Sequence, residues 1–171
     1  NINVLVLDTE VYSNTGGQAS KSTPIAAVAN FANAGKSVGK KDIALQAISY
    51  GNVYVARVAM GANPQQALLA FREAEAYDGP SLVLAYSHCI AHGINMEKGL
   101  DQQSRAVHSD ETPFTLVSPR PTLKLRDYAD NELRYRMLKI TNPKSADRLM
   151  QMAQAAVDRK WKLYEEMATL A

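Results

Sequence analysis

The stretch INVLVLDTEVYSNTGGQ, residues 2–18, changes character after its sixth position. INVLVL is short, β-branched and leucine-rich, the composition of a strand buried on both faces of a parallel sheet. DTEVYSNTGGQ then crowds hydrogen-bonding side chains and two glycines into one turn. Read from residues alone, that turn is either a site for an anion or nucleotide-like group or a solvated loop. A diphosphate needs backbone N–H groups that approach closely, which glycine permits, and a helix start whose dipole favours anions. Mg²⁺ needs near-octahedral oxygen ligation, for which the Thr9 hydroxyl and the Val11 carbonyl are candidates. The Gly16-Gly17 pair fits neither GxGxxG nor the Walker A pattern and is weak evidence by itself.

Working outward, Ser22-Thr23-Pro24 gives a hydroxyl cap followed by proline and predicts a helix over 25–34, stopped by Gly35. Asp42 is the predicted cap of a short helix, IALQAISY, closed by Gly51. VYVARVAM (53–60) predicts a second strand. Asn63-Pro64 repeats the cap-plus-proline start for a helix over 65–77, whose stripe of Ala67, Leu68, Phe71, Ala74 and Tyr77 is assigned to the core. SLVLAY (81–86) predicts a third strand. Strands alternating with helices across short loops predict an α/β fold, a parallel sheet with helices on both faces. Ligands in such sheets lie beyond the carboxyl ends of the strands, where residues 8–18 and 87–93 both fall. After Gly93 the pattern turns helical: 96–107, a proline-punctuated loop over 112–121, a charged Tyr/Arg-rich segment over 127–139, and a long amphipathic helix over 145–170 carrying Leu149, Met152, Ala156, Leu163 and Met167. The expected organisation is an α/β core over 1–95 and a helical C-terminal extension of the same domain over 96–171.

The 171 residues, 46% hydrophobic and 21% charged, have the composition of a globular domain. A net charge of +2 calls for no nucleic acid and no anionic membrane. No apolar run approaches the roughly 20 residues needed to span a bilayer. The chain opens inside a strand pattern, without Met and without a signal peptide, so it is expected to be part of something longer. Its single cysteine, Cys89, excludes an internal disulfide and fits a reducing compartment.

YSHCIAHGI (86–94) places His88, Cys89 and His92 at the end of the third strand. On residue type alone Cys89 reads first as a buried structural thiol. The His/Cys spacing matches no common zinc pattern. Lys36, Lys40 and Lys41 could attract coenzyme A or an acidic protein, but read more simply as a solvated surface. Arg134, Tyr135 and Arg136 likewise read as a charged helix face, and His108 has no visible role. Asp8, Glu10 and Asp42 do not form a catalytic carboxylate pair.

LDTEVYSNTGGQASKSTP resembles the thiamine-diphosphate segment of the pyruvate:ferredoxin (flavodoxin) oxidoreductases, with Thr15-Gly16-Gly17-Gln18 as their TGGQ. AYSHCIAHG, KKDIALQAISYGNVYVARVAMGANPQQ, EAYDGPSLVLAYSHC and LRDYADNELRYRMLK extend the resemblance over essentially the whole chain. One departure is that AVHSDETPF, after Arg105, skips a longer stretch usual in the family. The resemblance implies the C-terminal half of a thiamine-diphosphate-binding domain, with the family's GDG segment and its Mg²⁺ carboxylate upstream. It implies that Thr9 (side chain) and Val11 (carbonyl) hold Mg²⁺. Thr9, Glu10, Val11, Tyr12, Ser13 and Asn14 would line the cofactor, and Asn14 would face the bound 2-oxoacid as a non-titrating amide. It also implies that Cys89 gives one thiolate to a [4Fe–4S] cluster, a reading that then outranks the structural thiol. His88 and His92 stay structural or shape the surroundings of the cluster.

The implied activity is oxidative decarboxylation of pyruvate to acetyl-CoA and CO₂, using thiamine diphosphate, Mg²⁺ and [4Fe–4S] clusters. Electrons would pass to ferredoxin or flavodoxin. The implied setting is a cytoplasmic homodimer in which other domains complete the sites. Two alternatives stay open: another 2-oxoacid:ferredoxin oxidoreductase, and a non-catalytic nucleotide-binding or interaction module with no metal at Thr9 and no role for Cys89.

Overall fold

In chain order the first half of the protein runs β1 (Asn3–Asp8), a small antiparallel pair β2 (Val11–Tyr12) and β3 (Gln18–Ala19), α1 (Ile43–Ile48), β4 (Tyr54–Val58), α2 (Pro64–Ala76) and β5 (Ser81–Tyr86). The computed structural model describes residues 1–109 and 122–169. β1, β5 and β4 form one parallel sheet in that order, with Asn3 and Tyr54 both opposite Ser81, and Asp8 opposite Tyr86. β5 is therefore central, and its nearly continuous burial is that of a strand covered on both sides. The carboxyl ends of all three strands lie at one edge, which brings the loops after Asp8 and after Tyr86 together; the Ser87 amide donates to the Asp8 carbonyl at 3.0 Å.

Side chains alternate across a strand, so two faces are defined by parity. Ala56, Val58 and Val83 meet Ala67, Ala70 and Ala74 of α2 on one face. On the other, Arg57 reaches Asp42 at the start of α1, and Ile43, Val6, Leu84 and Tyr86 line one pocket. Helices thus flank both faces, as expected. Asn63 accepts from the Gln66 amide, with Pro64 at the first helical position, and Asp42 accepts from the Leu45 amide, so both local capping readings hold.

Three local expectations are corrected. β1 is an exposed edge: Val4, Leu5 and Leu7 are 46%, 51% and 64% accessible, because among the described residues β1 has one strand neighbour and both helices cover β4 and β5 instead. In α2 Ala67, Ala70 and Ala74 are buried while Leu68, Leu69 and Phe71, and Tyr77 just after the helix, stay exposed; small residues let the helix lie close on the sheet, so the large ones face out. Residues 25–34 form no α-helix. Ala26 (φ 71°) and Phe31 (φ 66°) are left-handed, and the chain doubles back through paired amides and carbonyls, Ala26 to Lys36 and Lys36 to Ala27. The Thr23 hydroxyl, the expected cap, instead donates to the Glu10 carbonyl, and Ala26 and Ala27 are fully buried, so tertiary burial overrides alanine's helix propensity.

The second half is helical, as expected: a 3₁₀ turn Met96–Lys98, then α3 (Gly99–His108), α4 (Leu125–Ala129), α5 (Leu133–Thr141) and α6 (Pro143–Thr169). The loop expected over 112–121, and the shortening expected after Ser109, lie outside the described residues. The helices share one core with the sheet's carboxyl end: Ala59 and Tyr86 pack with Ala106, Tyr128, Tyr135, Leu138, Leu149 and Ala153. α3 comes so close to the loop after β4 that a Cβ on Gly61 would overlap the Leu100 backbone, while the Gly61 amide donates to Gln103 Oε1 at 2.8 Å. Gly61→Ala is accordingly expected to cost about 2 kcal/mol, since backbone cannot yield as a flexible side chain does. A urea-unfolding midpoint unchanged from the parent would contradict that close approach.

Candidate functional site

The turn after β1 is built on a backbone that few side chains adopt. Glu10 is left-handed (φ 60°), and every polar handle it has is engaged. Its amide donates to Asp8 Oδ1 at 3.1 Å and its carbonyl accepts from Thr23 Oγ1 at 2.5 Å. Its carboxylate meets Lys40 Nζ at 2.5 Å and Arg134 Nη2 at 2.8 Å. Non-glycine residues hold such a conformation only where the surroundings over-determine it. Beyond it, β2 and β3 close a hairpin over a 3₁₀ turn, Ser13–Thr15, with Gly16 and Gly17 at φ 101° and 84°. The Thr15 hydroxyl donates to Gln18 Oε1 at 2.6 Å and knots the turn.

This geometry turns Thr9 and Val11 toward one point: Thr9 Oγ1 donates to the Val11 carbonyl at 3.0 Å, and Ser13 Oγ donates to Thr9 Oγ1 at 3.4 Å. Tyr12, Ser13 and Asn14 are exposed on the turn beside them. Glu10, expected at the same surface, points inward and is fully buried. A pocket of about 220 Å³ adjoins the turn, lined by Thr9, Val11 and Tyr12 together with Lys40, Arg57 and Tyr86.

The loop after β5 locks onto this turn. Cys89 is buried, its Sγ accepts from the Ala91 amide at 3.5 Å, and it opens a 3₁₀ turn, Ile90–His92. Gly17 lies against that turn, so a Cβ there would stand 2.9 Å from Ala91 Cβ. His92, fully buried and stacked on Tyr86, donates from Nε2 to the Thr9 carbonyl at 2.8 Å. That bond assigns the tautomer and leaves Nδ1 deprotonated, 3.9 Å from Glu132 Oε1. Burial, and then the Arg134 charge, hold His92 below its ordinary pKa, consistent with a neutral ring. His88 is structural too: its Nδ1 bonds Gln103 Nε2 at 2.9 Å and its ring packs on Gly99. Among the described residues no group of three or more His, Cys, Asp or Glu side chains could hold a metal ion.

Behind the turn lies a charged interior that the sequence reading did not place. Lys40 bridges Glu10 and Asp8, and Arg134 bridges Glu10 and Glu132. Glu132 also accepts from Gln102 and from the Tyr128 hydroxyl, which contacts the Tyr86 hydroxyl at 3.2 Å. Burial opposes the charge on Glu10, but Lys40 and Arg134 outweigh it and hold its pKa at about 2. Lys40 is raised although burial works against it, because Glu10 and Asp8 lie beside it. Lys36 is lowered by burial and by Lys40, and its ammonium donates to the carbonyls of Ser20, Lys21 and Thr23. Lys36 and Lys40 are therefore partly buried and tied to carbonyls and carboxylates while Lys41 is exposed, and Arg134 and Tyr135 are buried while Arg136 alone keeps to the solvated face. The only local hint was the interleaving of Glu132 and Arg134 with Tyr128 and Tyr135, since the pairing joins residues 124 positions apart.

No family model matches the chain. Over 99% of its length it is 50% identical to a pyruvate-flavodoxin oxidoreductase of a Nostoc species. Over 98% it is 46% identical to the pyruvate:ferredoxin oxidoreductase of Moorella thermoacetica, and 44% identical to the mitochondrial pyruvate dehydrogenase [NADP(+)] of Euglena gracilis. The chain spans 15%, 16% and 10% of these relatives, so it is homologous to one segment of each. The first alignment covers 184 positions against 171 residues, so at least 13 positions (184 − 171) have no residue here.

Proposed function

We propose that this chain, homologous to one segment of the pyruvate-flavodoxin and pyruvate:ferredoxin oxidoreductases, supplies one wall of a thiamine-diphosphate site and one thiolate of a [4Fe–4S] cluster. The enzyme would oxidatively decarboxylate pyruvate to acetyl-CoA and CO₂. The observation that carries the reading is the convergence of Thr9 Oγ1 and Val11 O at 3.0 Å at the sheet's carboxyl edge. Adjacent oxygens of a Mg²⁺ octahedron with bonds of about 2.1 Å lie about 3 Å apart, so the pair already spans one octahedral edge. When bound, thiamine diphosphate supplies the nucleophilic carbon and electron sink for the decarboxylation.

The chain's own residues would do the rest. With the Thr9 hydroxyl proton turned away from Val11, Thr9 Oγ1 and the Val11 carbonyl oxygen would hold the metal, the remaining ligands coming from other groups and water. Tyr12, Ser13 and Asn14 stand on the accessible side, where the Asn14 amide donates to oxygen on the reacting acid without titrating. Cys89 is the chain's one thiol and is held beside the turn through Ala91–Gly17 and His92–Thr9. Three further thiolates would have to come from outside these residues. A thiolate there would place the electron acceptor close to the donor.

In this reading ferredoxin or flavodoxin takes the electrons, coenzyme A takes the acetyl group, and other domains of a cytoplasmic homodimer complete both sites. The shared core of sheet and helices supports treating 96–171 as an extension of the domain that begins with 1–95. No helix of the described residues is long and apolar enough to cross a membrane. Relatives similar over this segment are named for flavodoxin, ferredoxin or NADP(+), so the acceptor is expected to be selected elsewhere.

The test uses the full-length polypeptide. Thr9→Ala should raise the Mg²⁺ concentration needed for thiamine diphosphate binding about tenfold or more. Cys89→Ser should remove or alter one iron–sulfur signal in the electron paramagnetic resonance spectrum while thiamine diphosphate still binds. An unchanged Mg²⁺ requirement would sink the metal role, and an unchanged set of cluster signals would sink the thiolate role.

A further inference from the structure

We infer that Arg134 is a positioning residue for the Thr9–Val11 turn: its guanidinium, clamped between Glu132 and Glu10, draws the Glu10 side chain inward and so sets the backbone that aims Thr9 Oγ1 and Val11 O at one point. The inference rests on the reading of that pair as a metal-binding edge.

The argument is geometric. Thr9 and Val11 flank a left-handed residue, so their relative orientation depends on the φ of Glu10 being held. Asp8 and the fully buried Thr23 hold the Glu10 amide and carbonyl, contacts that fix the backbone but leave the direction of the side chain to the partners of its carboxylate. The carboxylate has two partners. The Lys40 side chain is 22% accessible and divides itself between Asp8 and Glu10, whereas the Arg134 side chain is 1% accessible. Solvent and salt screen the first pair more than the second, so Arg134 is the firmer anchor. A guanidinium suits the task because it is planar and permanently charged: Nε faces Glu132 while Nη2 faces Glu10. A lysine at 134 could not present two such donors in fixed directions. α5 is itself tied to the turn's surroundings, since the Arg134 carbonyl accepts from the Val28 amide at 2.9 Å. Glu132 sets the register by receiving Tyr128 and Gln102 and lying beside His92, which grips the Thr9 carbonyl from the other side. The turn is thus held by one residue from each of two distant segments, one at Glu10 and one at Thr9.

The experiment measures thiamine diphosphate binding against Mg²⁺ concentration in the full-length polypeptide, with Mn²⁺ as a spectroscopic stand-in for the ion. Arg134→Met should raise the half-saturating Mg²⁺ concentration about tenfold and broaden the bound Mn²⁺ signal. Arg134→Lys should recover less than half of that shift on a logarithmic scale. The amount of thiamine diphosphate bound per polypeptide at saturating Mg²⁺ should stay within about 20% of the parent's, which a general loss of folding would not allow. If Arg134→Met fails to fold, Glu132→Gln/Arg134→Met removes both charges of the sealed pair, leaves Glu10 to Lys40 and should show the same raised Mg²⁺ requirement. A normal Mg²⁺ requirement in Arg134→Met or in the double variant, while Thr9→Ala raises it, overturns the positioning role alone. If Thr9→Ala also leaves it normal, the metal reading fails and the positioning role falls with it.

Discussion

Replacing Glu132 with alanine is expected to lower the folding free energy by about 3–5 kcal/mol, the range for stripping one partner from a buried ion pair. Glu132 is completely buried at the start of α5. It receives Gln102 Nε2 at 2.9 Å, the Tyr128 hydroxyl at 2.8 Å and the Arg134 guanidinium. Alanine leaves all three donors facing a cavity, and Arg134 keeps a single carboxylate, Glu10, as its counter-ion. Glu132→Gln keeps an acceptor for Tyr128 and much of the volume, so roughly half that loss is expected. The check is the midpoint of urea unfolding at constant slope. A loss below about 1 kcal/mol in the alanine variant would mean that water or rearrangement satisfies the network, contrary to its sealed position.

Asp42→Ala is expected to cost about 2–4 kcal/mol, because one carboxylate does three jobs. It caps α1 through the Leu45 amide at 2.9 Å, pairs with Arg57, and accepts from the Tyr164 hydroxyl of α6 at 2.6 Å. The cap alone accounts for about 1 kcal/mol. The ion pair adds less than a sealed one would, since the Asp42 side chain is 21% accessible. Burial opposes the Asp42 charge, but Arg57, Tyr164 and the Leu45 amide outweigh it and depress its pKa below the ordinary 3.8. A depressed carboxyl stabilises the fold above its unfolded value and loses that contribution as pH falls through the folded one. Glu10, ordinarily 4.5 and held at about 2, behaves in the same way. The protein should therefore weaken steadily as pH drops from about 4.5 toward 2, and Asp42→Asn should flatten part of that slope below pH 4. An identical slope in Asp42→Asn would place its carboxylate outside the acid response.

Local chemistry was legible wherever a residue's neighbours in sequence are its neighbours in space. Asn63-Pro64 opens α2, Asp42 caps α1, and SLVLAY forms β5 with the expected bounds. The candidate turn was legible for the same reason, since Thr9 and Val11 are two residues apart and their oxygens meet across that gap. Where the competition was between local propensity and distant burial, the sequence misled. Residues 25–34 carry alanines that favour a helix, but Ala26 and Ala27 serve as a floor beneath the C-terminal helices, and only an irregular backbone puts them there. In α2 the large apolar residues suggested the buried face, but the close approach of helix to sheet selected the alanines.

By itself the sequence determined the alternation of strands and helices and the carboxyl-edge placement of both polar loops. Those follow from short-range periodicity, capping and turn rules, which act over a few residues. Only the tertiary structure decided that β1 is an edge among the described residues, that Arg134 lies within rather than on the surface and Lys40 is drawn half inside by Glu10, and that His92 and Arg134 grip adjacent residues of one turn. Whether a charge is buried depends on a counter-charge brought to it by the fold, and the partner of Glu10 lies 124 residues away, beyond the reach of any local pattern.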